Sequence, residues 1–192
     1  MPRLLLRSVT PMQAVVALLA SLASSTAPSS AQDAAPSALS ETYGDWIVRC
    51  ATLQAEGQND SKPKSVCQMS QELQQGQSGK RALLIVFDIN ATGNGLLSGR
   101  IIAPFGLDLK SGLSLKIADA VYLEAPFKTC LPQGCVAPTI VNSELLAAMR
   151  DGQKLTVAMT AADSNRPVNM DVSLKGFGQA YDRLTALSEK SK

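Results

Sequence analysis

Histidine is absent from the 192 residues of this chain. Histidine is the usual general base near neutral pH and a common zinc ligand, so its absence excludes a Ser-His-Asp triad, a Cys-His pair and most zinc-hydrolase sites. The sequence also lacks a G-x-S-x-G elbow and any nucleotide-binding glycine pattern. The segment Gly93-Asn94-Gly95 therefore predicts a turn and not a phosphate loop. An enzyme built on this chain would have to use carboxylates or a Ser-Lys dyad.

A strong excess of either charge is also missing. The chain has 18 basic and 16 acidic residues, and two of the basic ones, Arg3 and Arg7, lie within the first 31 positions, which hold no acid. The remainder carries 16 residues of each sign. Nucleic-acid binders need a basic face that displaces counterions, so we expect no nucleic-acid partner.

Long apolar runs are scarce, and the one near the start predicts a signal peptide over residues 1–31. Arg3 and Arg7 precede an apolar stretch at 12–22, and small residues at 29–31 follow it. About ten apolar residues are too few to cross a bilayer core of roughly 30 Å. We predict cleavage between Ala31 and Gln32, a chain that is not an integral membrane protein, and a periplasmic, outer-membrane-associated or surface-exposed location. A marginal anchor is the alternative.

The four cysteines predict two disulfides. They are Cys50, Cys67, Cys130 and Cys135, and an even number in an exported chain is typical of disulfide pairing. A Cys₄ zinc site is less favoured because only the last spacing is short. We predict Cys50–Cys67, joining consecutive strands, and Cys130–Cys135, flanking a Pro/Gly turn. The last spacing is too long for a redox motif, so this pair is a structural clamp. No cofactor or metal is expected.

The pattern of short alternating segments predicts a mainly β fold with one or two short helices. We favour an immunoglobulin-like β-sandwich, with a small closed β-barrel as the alternative. Residues 32–42 are predicted to be a flexible linker and residues 43–188 a single domain. Helices are predicted at 143–150, capped by Asn142, and at 176–187. Strands are predicted at 46–50, 65–73, 81–89, 96–103, 120–125, 153–161 and 167–174, with short extended segments between 107 and 117 and around the 130–135 turn.

A few residues stand out as candidates for function, and each has a structural explanation. The single Trp46 could stack on a ligand, but we interpret it as a core residue packed near a disulfide. Asp88, Asp108 and Asp119 are candidate catalytic acids that also suit solvated turns. The apolar run within 81–89 indicates a strand buried on both faces or central in its sheet. The polar loops 54–64 and 74–80 are long enough to contact a partner.

Several motifs together resemble the invasion-associated locus B family of bacterial envelope proteins. The resemblance covers roughly residues 41–185. It implies an exported β-sandwich, an association of some members with entry into host cells, and no catalytic residues to transfer. The segments that carry it are Tyr43-Gly44-Asp45-Trp46 leading to Cys50, Cys67-Gln68-Met69-Ser70, Ala103-Pro104-Phe105-Gly106-Leu107, the clamp from Phe127 to Cys135, and Ser173-Leu174-Lys175-Gly176-Phe177.

These observations favour a non-enzymatic exported envelope protein of this type. It would act as a binding module that aids host-cell entry or envelope maintenance, with an unknown macromolecular partner in the bacterial envelope or on a host-cell surface. One alternative is a carboxylate-based hydrolase of envelope glycans, which needs two acids close together. Another is an assembly or chaperone-like factor that offers a strand edge to its client.

Overall fold

A computed structural model describes residues 38–53, 64–76, 79–89 and 97–189. All structural statements below concern these ranges. The predicted signal peptide, most of the predicted linker, the loop at 54–63 and the turn at 91–95 lie outside them.

The described residues form two antiparallel sheets and two helices. The seven-stranded sheet has the order β1-β2-β3-β4-β5-β9-β8, and the four-stranded sheet has the order β11-β10-β6-β7. Neither sheet closes on itself. The predicted mainly β sandwich with two short helices is therefore confirmed, and the closed-barrel alternative is wrong. The elements are β1 Ala38–Tyr43, β2 Trp46–Leu53, β3 Lys64–Gln75, β4 Lys80–Ile89, β5 Leu97–Ala103, β6 Leu113–Ile117, β7 Ala120–Ala125, β8 Thr129–Leu131, β9 Gly134–Val141, α1 Ser143–Asp151, β10 Lys154–Thr160, β11 Pro167–Ser173 and α2 Phe177–Glu189.

Strand β1 corrects the predicted linker, because residues 38–42 are not a flexible connection. They pair with β2 from Ala38 opposite Ala51 to Tyr43 opposite Trp46. Exposure alternates along β1, and Leu39 and Tyr43 pack against the core. The Ala/Pro/Ser-rich composition of the preceding residues obscured this short alternation.

The core lies between the two sheets and is centred on three aromatic rings. Trp46, Phe87 and Phe177 are each 0% exposed. The Trp46 ring stacks on Phe87 at 5.8 Å between centroids and meets Phe177 edge-on at 5.3 Å. Trp46 is thus a core residue as interpreted, but its ring partners are aromatic, while Cys50 lies farther along β2 beyond Val48. Such ring pairs stabilise a core by about 0.5–1.5 kcal/mol beyond the area they bury.

Both predicted helices are present. The Asn142 side chain accepts a hydrogen bond from the Leu145 N–H at 2.8 Å, and the Gly152 N–H donates to the Ala148 carbonyl where α1 ends. Helix α2 contacts β1 to β4 and buries Phe177, Ala180 and Leu184. Since α2 shares the core with the four-stranded sheet, both cover the same face of the seven-stranded sheet.

Candidate functional site

Two of the motifs that carry the family resemblance, residues 43–46 and 173–177, contact each other in a region that we call the junction. The Trp46 indole N–H donates to the Ser173 carbonyl at 2.9 Å. The Gln71 amide binds both the N–H and the carbonyl of Ser173, at 2.9 Å each. The Asp45 N–H donates to the Lys175 carbonyl. These bonds satisfy polar groups of the β11–α2 connection, so the junction positions α2 on the sheet.

Two glycines allow the backbones of this junction to touch. Gly44 and Gly176 have positive φ of 57° and 84°. A Cβ on Gly44 would collide with the Lys175 carbonyl, and one on Gly176 would collide with the Tyr43 carbonyl. Only glycine tolerates both the left-handed conformation and this close approach. The motif residues at 43–46 and 173–177 therefore have a role in the fold.

All four cysteines form disulfides, in the pairs that the spacing predicts. Cys50 and Cys67 stand directly opposite each other on β2 and β3, and both side chains are 8% exposed within the core. Cys130 and Cys135 stand opposite each other in the β8–β9 hairpin. Here Cys135 is buried but Cys130 is exposed. One bridge thus lies in the core and the other clamps a sheet edge.

The three candidate acids lie on different elements of the molecule. Asp88 lies on β4, 3.7 Å from the Arg100 guanidinium. Asp108 precedes β6 and accepts hydrogen bonds from the Ser111 hydroxyl and the Lys110 N–H, which hold the pKa of its carboxyl below the ordinary value. Asp119 lies in the β6–β7 turn with φ of 67°. Each acid has the local role of a turn or surface residue, and the structure does not bring them together.

The loops 54–64 and 74–80 were predicted to be able to contact a partner. The second is shorter than predicted, and nearly all of the first lies outside the described ranges. Strand β3 runs to Gln75 and β4 begins at Lys80, so only residues 76–79 of the segment 74–80 connect them. The loop at 54–63 is not among the described residues. Among the described residues, a face of the larger sheet is the candidate binding surface instead.

The outward side of the seven-stranded sheet is the surface that we call the open face. Val48, Met69 and Phe87 point into the core, so their neighbours along each strand point outward. Within the described residues, no strand or helix lies over this side. The open face consists of Ile47, Arg49, Val66, Gln68, Ser70, Glu72, Leu84, Val86, Asp88, Ser98, Arg100, Ile102, Val136, Pro138 and Ile140.

An apolar row crosses the middle of the open face. Leu84 pairs with Ile102, and Ile102 pairs with Val136, so three apolar side chains lie side by side on β4, β5 and β9. All three are half-buried, and Ile140 on the same face is 59% exposed. A solvated face of an antiparallel sheet normally carries polar residues at such positions. This row therefore departs from the pattern of a water-facing sheet.

The charges of the open face lie beside the row and pair within the sheet. Arg100 lies 3.7 Å from Asp88, and Arg81 at the start of β4 lies 4.0 Å from Glu72. Between Ile47 and Val86, the small side chain of Ser70 leaves a depression of about 570 Å³. The face spans five strands, is apolar at its centre and has charged residues beside that centre.

The outward side of the four-stranded sheet has a different character. Its depression, about 550 Å³, is lined by Ser114, Lys116, Glu124, Thr160 and Asn169 among others. These positions are polar, as expected for a sheet face in water. The contrast makes the open face the stronger candidate for a binding surface.

Sequence reasoning indicated only part of this surface. The apolar run in β4 predicted burial on both faces or a central position, and β4 is the middle strand of the seven-stranded sheet. It buries Leu83, Ile85 and Phe87 in the core while Leu84 points outward. The contributions of Ile102 and Val136 were missed, because each alternates with a core residue in a segment that reads as an ordinary strand. Only the register places them beside Leu84.

Neither α1 nor α2, the helices of the described chain, is long and apolar enough to cross a membrane.

Residues 46–185 match the family model of the invasion associated locus B (IalB) protein. An Invasion protein B homolog of Brucella abortus is 40% identical over 153 residues, covering 80% of this chain and 83% of the relative. Invasion protein B of Bartonella bacilliformis is 32% identical over 156 residues, covering 80% and 78%. The crystal structure of invasion associated protein B from Bartonella henselae superposes with a TM-score of 0.69 at 32% identity, covering 80% of this chain and 99% of that one. The chain therefore belongs to the invasion associated locus B family.

Proposed function

We propose that this chain is a non-enzymatic binding protein, exported to the bacterial envelope, whose binding surface is the open face. The observation that carries the proposal is the apolar row Leu84–Ile102–Val136, which lies on a sheet face that no described element covers. Exposed apolar area bordered by charged residues is typical of an interaction surface.

Export is supported by the disulfides. Both Cys50–Cys67 and Cys130–Cys135 require an oxidising compartment, such as the periplasm or the cell surface. The names of the relatives associate them with invasion. A partner in the bacterium's own envelope or on a host-cell surface fits both observations.

The shape of the open face favours a protein as the partner. Small-molecule sites are concave and lined mostly by apolar side chains, whereas this surface spreads over five strands and its depression at Ser70 is lined mostly by polar and charged side chains. An apolar centre with charged residues around it is the usual anatomy of a protein–protein interface.

The hydrolase alternative finds less support in the geometry. Glycoside hydrolysis needs two carboxyl groups roughly 5–9.5 Å apart on either side of the bond that breaks. Asp88, Asp108 and Asp119 lie on β4, before β6 and in the β6–β7 turn, and Asp88 is close to Arg100. The strand-edge alternative would use one of the edge strands β1, β7, β8 and β11, of which β8 has only three residues.

Crosslinking pull-downs with the exported protein test the proposal. The bait is wild type, Ile102→Lys or the matched control Asn169→Lys, which is exposed on the outward side of β11. We expect a protein partner, from envelope extract or from host-cell membranes, that binds wild type and the control but not Ile102→Lys. Hydrolysis of an envelope polymer by wild type, abolished by Asp88→Asn, Asp108→Asn or Asp119→Asn, would contradict the proposal.

A further inference from the structure

The outer edge of β1 is a row of backbone groups with which no strand of the described chain pairs. Strand β1 is an end strand of the seven-stranded sheet and bonds only to β2. Tyr43 and Trp46 flank the two-residue turn of this hairpin, and residues that flank such a turn exchange backbone hydrogen bonds. Because the direction of hydrogen bonding alternates along a strand, the N–H and C=O groups of Ser40 and Thr42 point away from β2.

The other edges of the two sheets carry features that hinder the addition of a strand. At the far end of the large sheet, β8 has three residues, and β9 continues beyond it with Pro138, which has no N–H. Strand β7 has an irregularity in its register with β6. Strand β11 begins at Pro167, and the backbone of Ser173 at its other end is already bound by Gln71. Shortness, proline and bulges protect edge strands from pairing, and β1 has none of these features.

The inward side of β1 lies at the margin of the core and is incompletely covered. Leu39 and Tyr43 are half-buried and pack against the core, whereas Trp46, the partner of Tyr43 on β2, is 0% exposed. The charge of Glu41 between them is matched by Arg183 of α2. A further strand beside β1 would cover Leu39 and Tyr43 more fully, and the removal of apolar surface from water favours its binding.

We propose that the outer edge of β1 binds an extended segment of a partner protein, which pairs with β1 as a further strand of the large sheet. Sets of N–H and C=O groups spaced at about 6.8 Å along one edge are matched by another polypeptide in the extended conformation. Side chains of the added strand alternate in direction. Those beside Leu39 and Tyr43 are apolar, and those beside Ser40 and Thr42, on the side of the open face, are in water.

This edge is separate from the apolar row of the open face. The row lies on β4, β5 and β9, and two strands, β2 and β3, lie between β1 and β4. The inference therefore adds a second binding site and does not depend on the proposed function. Ile102→Lys, which removes the open-face partner, should leave binding at the β1 edge unchanged, so the failure of one proposal is distinguishable from the failure of the other.

A phage-displayed library of random peptides of about twelve residues, selected on the exported, oxidised protein, supplies the probe. We expect selected peptides in which apolar and polar residues alternate. Their affinity for Ser40→Pro should fall about tenfold or more, because proline removes the N–H of an edge position and its ring obstructs pairing. Asn169→Pro is the matched control, since Asn169 is exposed on the edge strand β11, and it should bind the peptides like wild type.

Residue-resolved hydrogen exchange of wild type, followed by NMR, locates the bound peptide without any substitution. In the free protein the amides of Ser40 and Thr42 should exchange quickly, whereas those of Leu39 and Glu41, which bond to β2, should be protected. A bound peptide should slow exchange at Ser40 and Thr42.

Selected peptides that bind Ser40→Pro as tightly as wild type, or that leave the Ser40 and Thr42 amides unprotected, would overturn the inference. A library that yields no binder to wild type would also overturn it. Protection of these two amides in the protein alone, rising with protein concentration, would assign the edge to a second copy of the chain and contradict the partner segment.

Discussion

The two sides of the seven-stranded sheet differ in how deeply their apolar residues are buried, although residues of the two sides alternate along the same strands. On the inward side Val48, Met69 and Phe87 are fully buried beneath the second sheet and α2. On the outward side Leu84 and Ile102 are just as apolar and are only half-buried. The inward side is fully buried by the fold of one chain, whereas the outward side keeps Leu84 and Ile102 partly exposed beside Val86, which is 5% exposed.

Removing an inward aromatic side chain should have the largest effect on stability. We expect Phe87→Ala to lower the free energy of unfolding by about 3–5 kcal/mol, because it leaves a cavity beside Trp46 and Phe177. Ile102→Ala on the open face should cost about 1 kcal/mol, since its side chain is only half-buried. Urea denaturation of both variants at micromolar concentration measures the difference. Equal losses would show that the two sides are equally part of the core.

A substitution at a glycine of the junction should have the second-largest effect on stability. Gly176→Ala forces a left-handed residue against the Tyr43 carbonyl, so we expect a loss of roughly 2–5 kcal/mol from strain and overpacking. Gly178→Ala is the matched control, because no atom lies within 4 Å of its added Cβ. Thermal unfolding followed by circular dichroism compares them. A control as damaging as Gly176→Ala would contradict the structural role of the junction.

The two disulfides should differ in both stability and accessibility. Replacing Cys50 and Cys67 by alanine should cost about 3 kcal/mol and replacing Cys130 and Cys135 about 2 kcal/mol, following the sizes of the loops they close. A mild thiol reductant under native conditions should open Cys130–Cys135 first, because Cys130 is exposed whereas Cys50 and Cys67 lie in the core. Alkylation and peptide mapping give the order. Earlier opening of Cys50–Cys67 would indicate that the sheet interior is open to solvent.

The smallest effect on stability is expected from the ion pair that joins the edge strand β1 to helix α2. Arg183 donates two hydrogen bonds to Glu41, at 2.7 and 2.8 Å, and these, with the Tyr43 hydroxyl, lower the pKa of the Glu41 carboxyl below its ordinary value of 4.5. A lowered pKa in the folded state means stabilisation that is present above pH 4.5 and is lost as the pH falls through the folded-state pKa. The melting temperature of Glu41→Gln should therefore lie slightly below that of wild type at pH 7, and the gap should narrow as the pH falls below 4.5. A gap that stays constant with pH would rule out this ion pair as its cause.

Alternation and turn chemistry were enough to predict the mainly β fold, both helices and the disulfide pairs. Asn142 marked the start of α1 because capping is local, and Cys50 and Cys67 were paired because consecutive strands return on each other. The open face was not predictable in this way. Its row joins residues 84, 102 and 136, and only long-range register brings them together. Strand β1 was missed for a different reason, since Ala38–Tyr43 gains its order from pairing with β2 and from Arg183.

The claim that the outward side of the seven-stranded sheet is a binding surface is tested most directly by site-specific photocrosslinking in envelope extract and on host-cell membranes. A benzophenone amino acid at position 140 lies on the open face, and the same group at position 169 lies on the outward side of the four-stranded sheet. Illumination should give a crosslinked partner protein from position 140 and none from position 169. Crosslinks from position 169 alone, or equal yields from both positions, would contradict the account.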